Sequence, residues 1–177
     1  MNANTSASIL DANPGMELRA ALPSTRLADY KLIAFDMDST LINIECVDEI
    51  ADALGRKAEV AAITEAAMRG EIADYKESLR QRVALLKGLS ENVIDQCLVE
   101  RVVIMPGARA LVQTIRAHGG MAILVSGGFT RFADPVASEI GFNKAIANRL
   151  GIKDGIMTGR VEGNIVGAQT KRKALMD

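Results

Sequence analysis

Four consecutive apolar residues, Leu32-Ile33-Ala34-Phe35, run directly into Asp36-Met37-Asp38, and no other stretch constrains the chain as much. A short unbroken apolar run reads as a strand buried on both faces, the usual condition of a parallel sheet. In open α/β sheets ligands bind beyond the carboxyl ends of the strands, which is where the two acids stand. In extended backbone residues i and i+2 share a face. Two like charges held that close repel, and one takes up a proton unless a cation lies between them. Oxygen-only donors suit a hard ion, and Mg²⁺ commonly sits between one or two carboxylates and a substrate phosphate. An Asp-x-Asp alone also fits a polar loop that ends a strand, or the metal and nucleotide-sugar site of a glycosyltransferase.

The 177 residues suffice for one core domain and a small insert. Lys and Arg total 21 against 22 for Asp and Glu, a balance that gives no reason to expect a nucleic acid or an anionic membrane as partner. No apolar stretch approaches the ~20 residues of a membrane span, and residues 1–25 lack the pattern of a secretory signal. Cys46 and Cys97 have no metal-ligand spacing and read as reduced thiols, which points to the cytoplasm. The single histidine, His118, precedes Gly119-Gly120 and reads as a cation at a helix C-terminus.

Residues 1–29 are rich in Ser, Asn, Ala and Thr and read as a tail, or the remnant of a preceding segment, with a short helix near 16–21. From residue 46 to 105 the apolar spacing is helical. Four segments are stopped or opened by Gly55, Gly70, Asp74, Gly88 and Ser90, with Asp74-x-x-Glu77 resembling a capping box. Four helices without a strand between them read as a bundled insert. After Pro106-Gly107 the α/β pattern resumes: a helix over 108–118, a second buried strand over 121–125, and then Ser126-Gly127-Gly128-Phe129. Asp134-Pro135 reads as N-cap and first residue of the next helix. Asp154-Gly155 is a hairpin turn between segments 148–150 and 156–161, and a last helix begins at Gln169.

Glycines after a strand let backbone N–H groups approach an anion, and a hydroxyl adds a donor, although Ser-Gly-Gly also occurs in ordinary turns. Lys171 by itself is a surface lysine. The order of the three features is more telling: Asp-x-Asp, then Ser-Gly-Gly, then Lys. At this point the chain resembles the haloacid-dehalogenase-like phosphatases over roughly residues 31–173. The matching stretches are Asp36-Met37-Asp38-Ser39-Thr40, Glu45-x-x-Asp48-Glu49-Ile50, Met68-x-Gly70, Ser78-Leu79-Arg80-Gln81-Arg82-Val83, Pro106-Gly107, Val125-Ser126-Gly127-Gly128-Phe129, Ala147-Asn148-Arg149-Leu150, Thr158-Gly159-x-Val161-Glu162-Gly163 and Ala168-x-x-Lys171. A glycosyltransferase explains neither the Ser-Gly-Gly nor the Lys.

The resemblance implies an α/β fold: a Rossmann-like parallel sheet flanked by helices over 30–45 and 106–177, with residues 46–105 as a small helical cap. It implies Mg²⁺-dependent hydrolysis of O-phospho-L-serine, a step of serine biosynthesis. Asp36 would be the nucleophile and Asp38 the general acid and base. Ser126, Gly127 and Lys171 would hold the phosphoryl oxygens. Glu45 and Arg82 would take the ammonium and carboxylate of the substrate, with Met68 and Gly70 lining the cap side. Mg²⁺ would be bound by the Asp36 carboxylate and the Asp38 main-chain oxygen. Two other readings stand beside it: a phosphatase or phosphotransferase acting on another small phosphomonoester, and an inactive module that binds a phospho-ligand or a partner.

The sequence departs from the family after Lys171, where a further helix and a strand ending in Gly-Asp-x-x-x-Asn-Asp are expected and the sequence ends at Asp177. The expectation is a truncated, impaired form. Its core sheet would be incomplete, with an unpaired apolar edge at 32–35 through which copies could associate.

Overall fold

One strand, a run of five helices and then a mixed strand-and-helix segment follow one another as the hydrophobic periodicity switches between 2 and 3.6. The computed structural model describes residues 26–176; of the expected tail over 1–29, residues 1–25 with the helix expected at 16–21 lie outside the described residues, as does Asp177, while Leu27–Asp29 form a 3-10 helix. The elements are β1 (Leu32–Phe35), α1 (Cys46–Asp52), α2 (Lys57–Met68), α3 (Tyr75–Ala84), α4 (Asn92–Glu100), α5 (Ala108–Ala117), β2 (Met121–Phe129), α6 (Thr130–Ile140), β3 (Lys144–Lys153), β4 (Ile156–Glu162) and α7 (Ala168–Ala174). The sheet has the order β1-β2-β3-β4. β1, β2 and β3 run parallel, and β4 returns antiparallel to β3. This is an α/β core of the Rossmann-like kind, as expected. No helix among the described residues is long and apolar enough to cross a membrane.

Period-two alternation divides β2 between two faces. Ala122 and Leu124 join the main core with Val112 and Ile115 of α5 and with Phe132, Val136 and Ile140 of α6. Ile123 and Val125 face the other way, into a smaller cluster with Val166, Leu32, Ala34 and Ala174. Each large aliphatic or aromatic side chain buried in this way contributes about 1.5–3 kcal/mol. The main core also takes in Ile50, Val60, Leu79, Val83 and Ile94 from α1 to α4, so the helical insert and the sheet share one apolar interior.

Several expectations are corrected by packing. All four residues of β1 are half-buried rather than buried on both faces, because β1 bonds only to β2 and forms the sheet edge among the described residues. β2 does not end at Val125 but continues through Ser126-Gly127-Gly128 to Phe129, with its pairing to β3 irregular between Val125 and Phe129. β3 likewise begins at Lys144, four residues before the expected segment. α6 starts at Thr130, and Pro135 lies inside it. The stripe Phe132, Ala133, Val136, Ala137, Ile140 fixes that helix against the core. Pro135 falls on the exposed side of the helix, away from that stripe. Only half of the capping box forms: Asp74 accepts from the Glu77 N–H at 2.8 Å, while the Glu77 carboxylate accepts from Arg80 and Gln81. The hairpin turn holds, since Asp154 (φ 52°) and Gly155 (φ 76°) adopt the two left-handed conformations a type I′ turn requires. His118 closes α5 with its Nδ1 2.8 Å from the Thr114 carbonyl oxygen.

Candidate active site

Because Phe35 pairs with Leu124 in a parallel ladder, the residues that follow on both strands emerge at the same end of the sheet. Asp36 and Asp38 both face a cavity of about 410 Å³ there, and the intervening Met37 is fully buried in the core. The oxygens of Asp36 accept from the Met37 N–H (2.9 Å) and from the Lys171 ammonium, which arrives from 135 residues along the chain. Those of Asp38 accept from the Cys46 backbone N–H (3.3 Å) and thiol (3.1 Å) at the start of α1. Burial pushes the Asp38 carboxyl up from 3.8 to about 6, assisted by the nearby Glu45 and Asp36 and opposed by the hydrogen bonds from Cys46. It can therefore carry a proton near neutrality.

The Ser126-Gly127-Gly128 segment forms the facing wall. Its glycines are there for room. A Cβ at Gly127 would lie 2.1 Å from the Tyr75 hydroxyl, and one at Gly128 would lie 2.8 Å from the Met37 methyl and 3.2 Å from an Asp38 oxygen. Ser126 is 1% exposed, and its Oγ accepts from the Gly128 N–H at 2.8 Å. Lys171, on α7, is half-buried at the cavity edge.

Asn148 was missed as a site-supporting residue. It is 1% exposed, donates through Nδ2 to the Gly127 carbonyl (2.7 Å) and accepts through Oδ1 from the Val166 N–H (2.8 Å). It thus ties the Ser-Gly wall to the segment that leads into α7. The signal was available, since a polar Asn inside an apolar strand pattern needs partners. Asn148→Ala strands a carbonyl and an N–H in the interior and is expected to destabilise the protein by about 2–4 kcal/mol, read as a lower urea midpoint; a loss under about 0.5 kcal/mol would show that the bridge is dispensable.

Glu45 and Arg82 reach the same cavity from α1 and α3. Glu45 occupies the N-cap position of α1 without capping it; its carboxylate instead accepts from the Ser39 hydroxyl at 2.6 Å. Arg82 has a buried Nε with no hydrogen-bond partner among the described residues, an orphan donor next to the cavity. Seven of the nine expected site residues therefore line one cavity. Met68 and Gly70 do not: Met68 is 84% exposed at the end of α2, and Gly70 (φ 76°) has nothing within 4 Å of where a side chain would start. The α2–α3 turn that carries them projects into solvent.

No three of His, Cys, Asp and Glu converge on a point that could hold a metal among the described residues. Two carboxylates and backbone oxygens remain, an all-oxygen set. That fits an ion which takes one or two protein carboxylates and completes its shell with water and phosphate, and it does not fit a four-ligand protein cage.

A mostly parallel sheet with carboxylates at one strand end, a Ser-Gly-Gly wall on the next and a lysine from a later helix puts one polar cavity at the strand ends of a Rossmann-like α/β fold. The chain belongs to the haloacid dehalogenase-like hydrolase family, whose profile matches residues 33–176. It is 56% identical over 171 residues to the phosphoserine phosphatase of Polaromonas sp., covering 94% of this chain and 72% of that protein. Among solved structures it resembles a substrate-bound phosphoserine phosphatase complex (TM-score 0.75, 38% identity, 83% of this chain and 69% of the other). It also resembles a phospho-aspartyl intermediate analogue of phosphoserine phosphatase (TM-score 0.75, 39% identity, the same coverage of both chains).

Proposed function

We propose that this chain carries the active site of a phosphoserine phosphatase, which cleaves O-phospho-L-serine through a phosphoryl group held on Asp36. The observation that carries the reading is the orphan Nε of Arg82, buried beside a cavity that also holds Glu45, Asp36 and Lys171. A zwitterion with a phosphate needs that set: an anion for its ammonium, a cation for its carboxylate, and a nucleophile with a cation for its phosphoryl group. The names of the relatives point the same way.

In the first step an Asp36 oxygen bonds to phosphorus, the bond from phosphorus to the seryl oxygen breaks, and Asp38 gives that oxygen its proton. In the second, Asp38 takes a proton from water, the water oxygen bonds to phosphorus, and phosphate leaves with Asp36 restored. Ser126, the Gly127 N–H and Lys171 hold the phosphoryl oxygens throughout. Mg²⁺, bound by the Asp36 carboxylate and the Asp38 main-chain oxygen, would add positive charge against the phosphoryl oxygens. Residues 46–105 act as a cap that excludes bulk water, and its closure would bring Met68 and Gly70 toward the substrate. The edge of β1, whose four half-buried apolar residues bond only to β2 among the described residues, is the surface through which copies would associate.

The test is Arg82→Ala with two substrates. Loss of a buried charge contact costs about 2–5 kcal/mol, so KM for phosphoserine should rise by on the order of a hundredfold while KM for phenyl phosphate barely moves. An equal rise for both would favour the alternative of another small phosphomonoester. Stabilisation by phosphoserine with no phosphate released would favour a binding module.

A further inference from the structure

Beside the 410 Å³ cavity lies a second one of about 270 Å³ that the proposed chemistry does not use. Three residues line both: Tyr75, Gly167 and Ala168. Of these only Tyr75 has a large side chain. It sits in the first turn of α3, directly after the capped Asp74, so its backbone is fixed at the helix start. Its far end lies against the Ser-Gly wall, with the hydroxyl 3.4 Å from the Gly127 carbonyl oxygen. The ring passes 3.6 Å from where a Gly167 side chain would begin, and the hydroxyl fills the place of one at Gly127. The ring thus spans the gap between the Ser-Gly wall and the start of α7. Beyond it the second cavity is mixed in character, lined by Asp74, Lys76, Gln169 and Thr170 together with Ile165.

The geometry points to Tyr75 as the partition that limits the size of the leaving group: its ring divides a larger chamber, and the second compartment is room for a longer, amphipathic alcohol portion of a phosphomonoester. The claim deepens the phosphatase reading and rests on it for the chemistry, though not for the identity of the substrate. Removing the ring joins the compartments. Retaining the ring without its hydroxyl, in Tyr75→Phe, keeps them apart.

The experiment compares kcat/KM for methylumbelliferyl phosphate, an extended leaving group, with kcat/KM for phenyl phosphate, a compact one, in the full-length protein with Mg²⁺. Tyr75→Ala and Tyr75→Leu should each raise the ratio by about tenfold, the scale on which pocket size discriminates substrates, and Tyr75→Phe should leave it unchanged. The leucine variant keeps an apolar wall and serves where alanine lowers the yield of folded protein. A ratio that stays constant in both, with the two rates falling together, would overturn the partition. Failure of the wild-type protein to act on phosphoserine while it hydrolyses the aryl esters would overturn the phosphoserine reading alone, because the size ratio is read on other substrates.

Discussion

Asp36→Asn is expected to abolish turnover of phosphoserine, by on the order of 10⁴-fold or more, as when the nucleophile of a covalent mechanism is removed. The substitution keeps the shape of the side chain and an acceptor for the Met37 N–H, so the fold should survive. It removes the charge opposite Lys171 and the oxygen that would bond to phosphorus. The measurement is twofold: phosphate release at steady state, and acid-quenched transfer of a radiolabelled phosphoryl group to protein. Both should vanish while substrate still protects the variant against thermal unfolding. Turnover at a normal rate would place the nucleophile elsewhere.

Asp38→Asn should lose activity and gain stability, and the second effect depends on pH in a defined direction. Burial raises the Asp38 carboxyl to about 6 in the folded protein, above its ordinary 3.8. Between those values the folded state holds a proton that the unfolded state has released, so stability falls as pH rises from about 4 to about 6 and stays lowered above that. The cost at pH 7 is on the order of 2–3 kcal/mol. An amide avoids it, so in EDTA the variant should unfold at higher urea than wild type at pH 7.5, and at nearly the same urea at pH 4. A variant destabilised at pH 7.5 would show that the charged carboxylate is not under strain. The same proton governs catalysis: phosphorylation of Asp36 should slow as pH rises through about 6, because the acid that serves the leaving oxygen is lost.

Much of this was legible in the sequence where local rules and tertiary packing agree. The apolar run ending in Asp36 and Asp38, the glycine stops at 55, 70 and 88, and the Asp154-Gly155 turn all appear where residue chemistry demands them. The errors fall where packing overrode a local signal. Asp134-Pro135 looks like a helix start, but a stripe beginning at Phe132 holds five further residues in the helix, and an exposed proline costs too little to stop it. Met68 and Gly70 were assigned to the pocket by resemblance, and their distance from it depends on how the insert sits over the sheet, which no local pattern encodes. Nothing local marks Tyr75, whose hydroxyl becomes informative only once Gly127 lies opposite it. Asp36, Ser126 and Lys171 are far apart in the chain, and only the parallel register of β1 and β2 and the bridge through Asn148 bring them together.

The pairing of Lys171 with Asp36 also bears on how the protein is made. A contact closed across 135 residues is among the last to form, since its loop entropy is offset only after the intervening elements have packed. On the ribosome, a nascent chain can complete the first strand and the whole helical insert well before the lysine leaves the exit tunnel. A polypeptide arrested before Lys171 would hold its aspartates without the cation that pairs with Asp36.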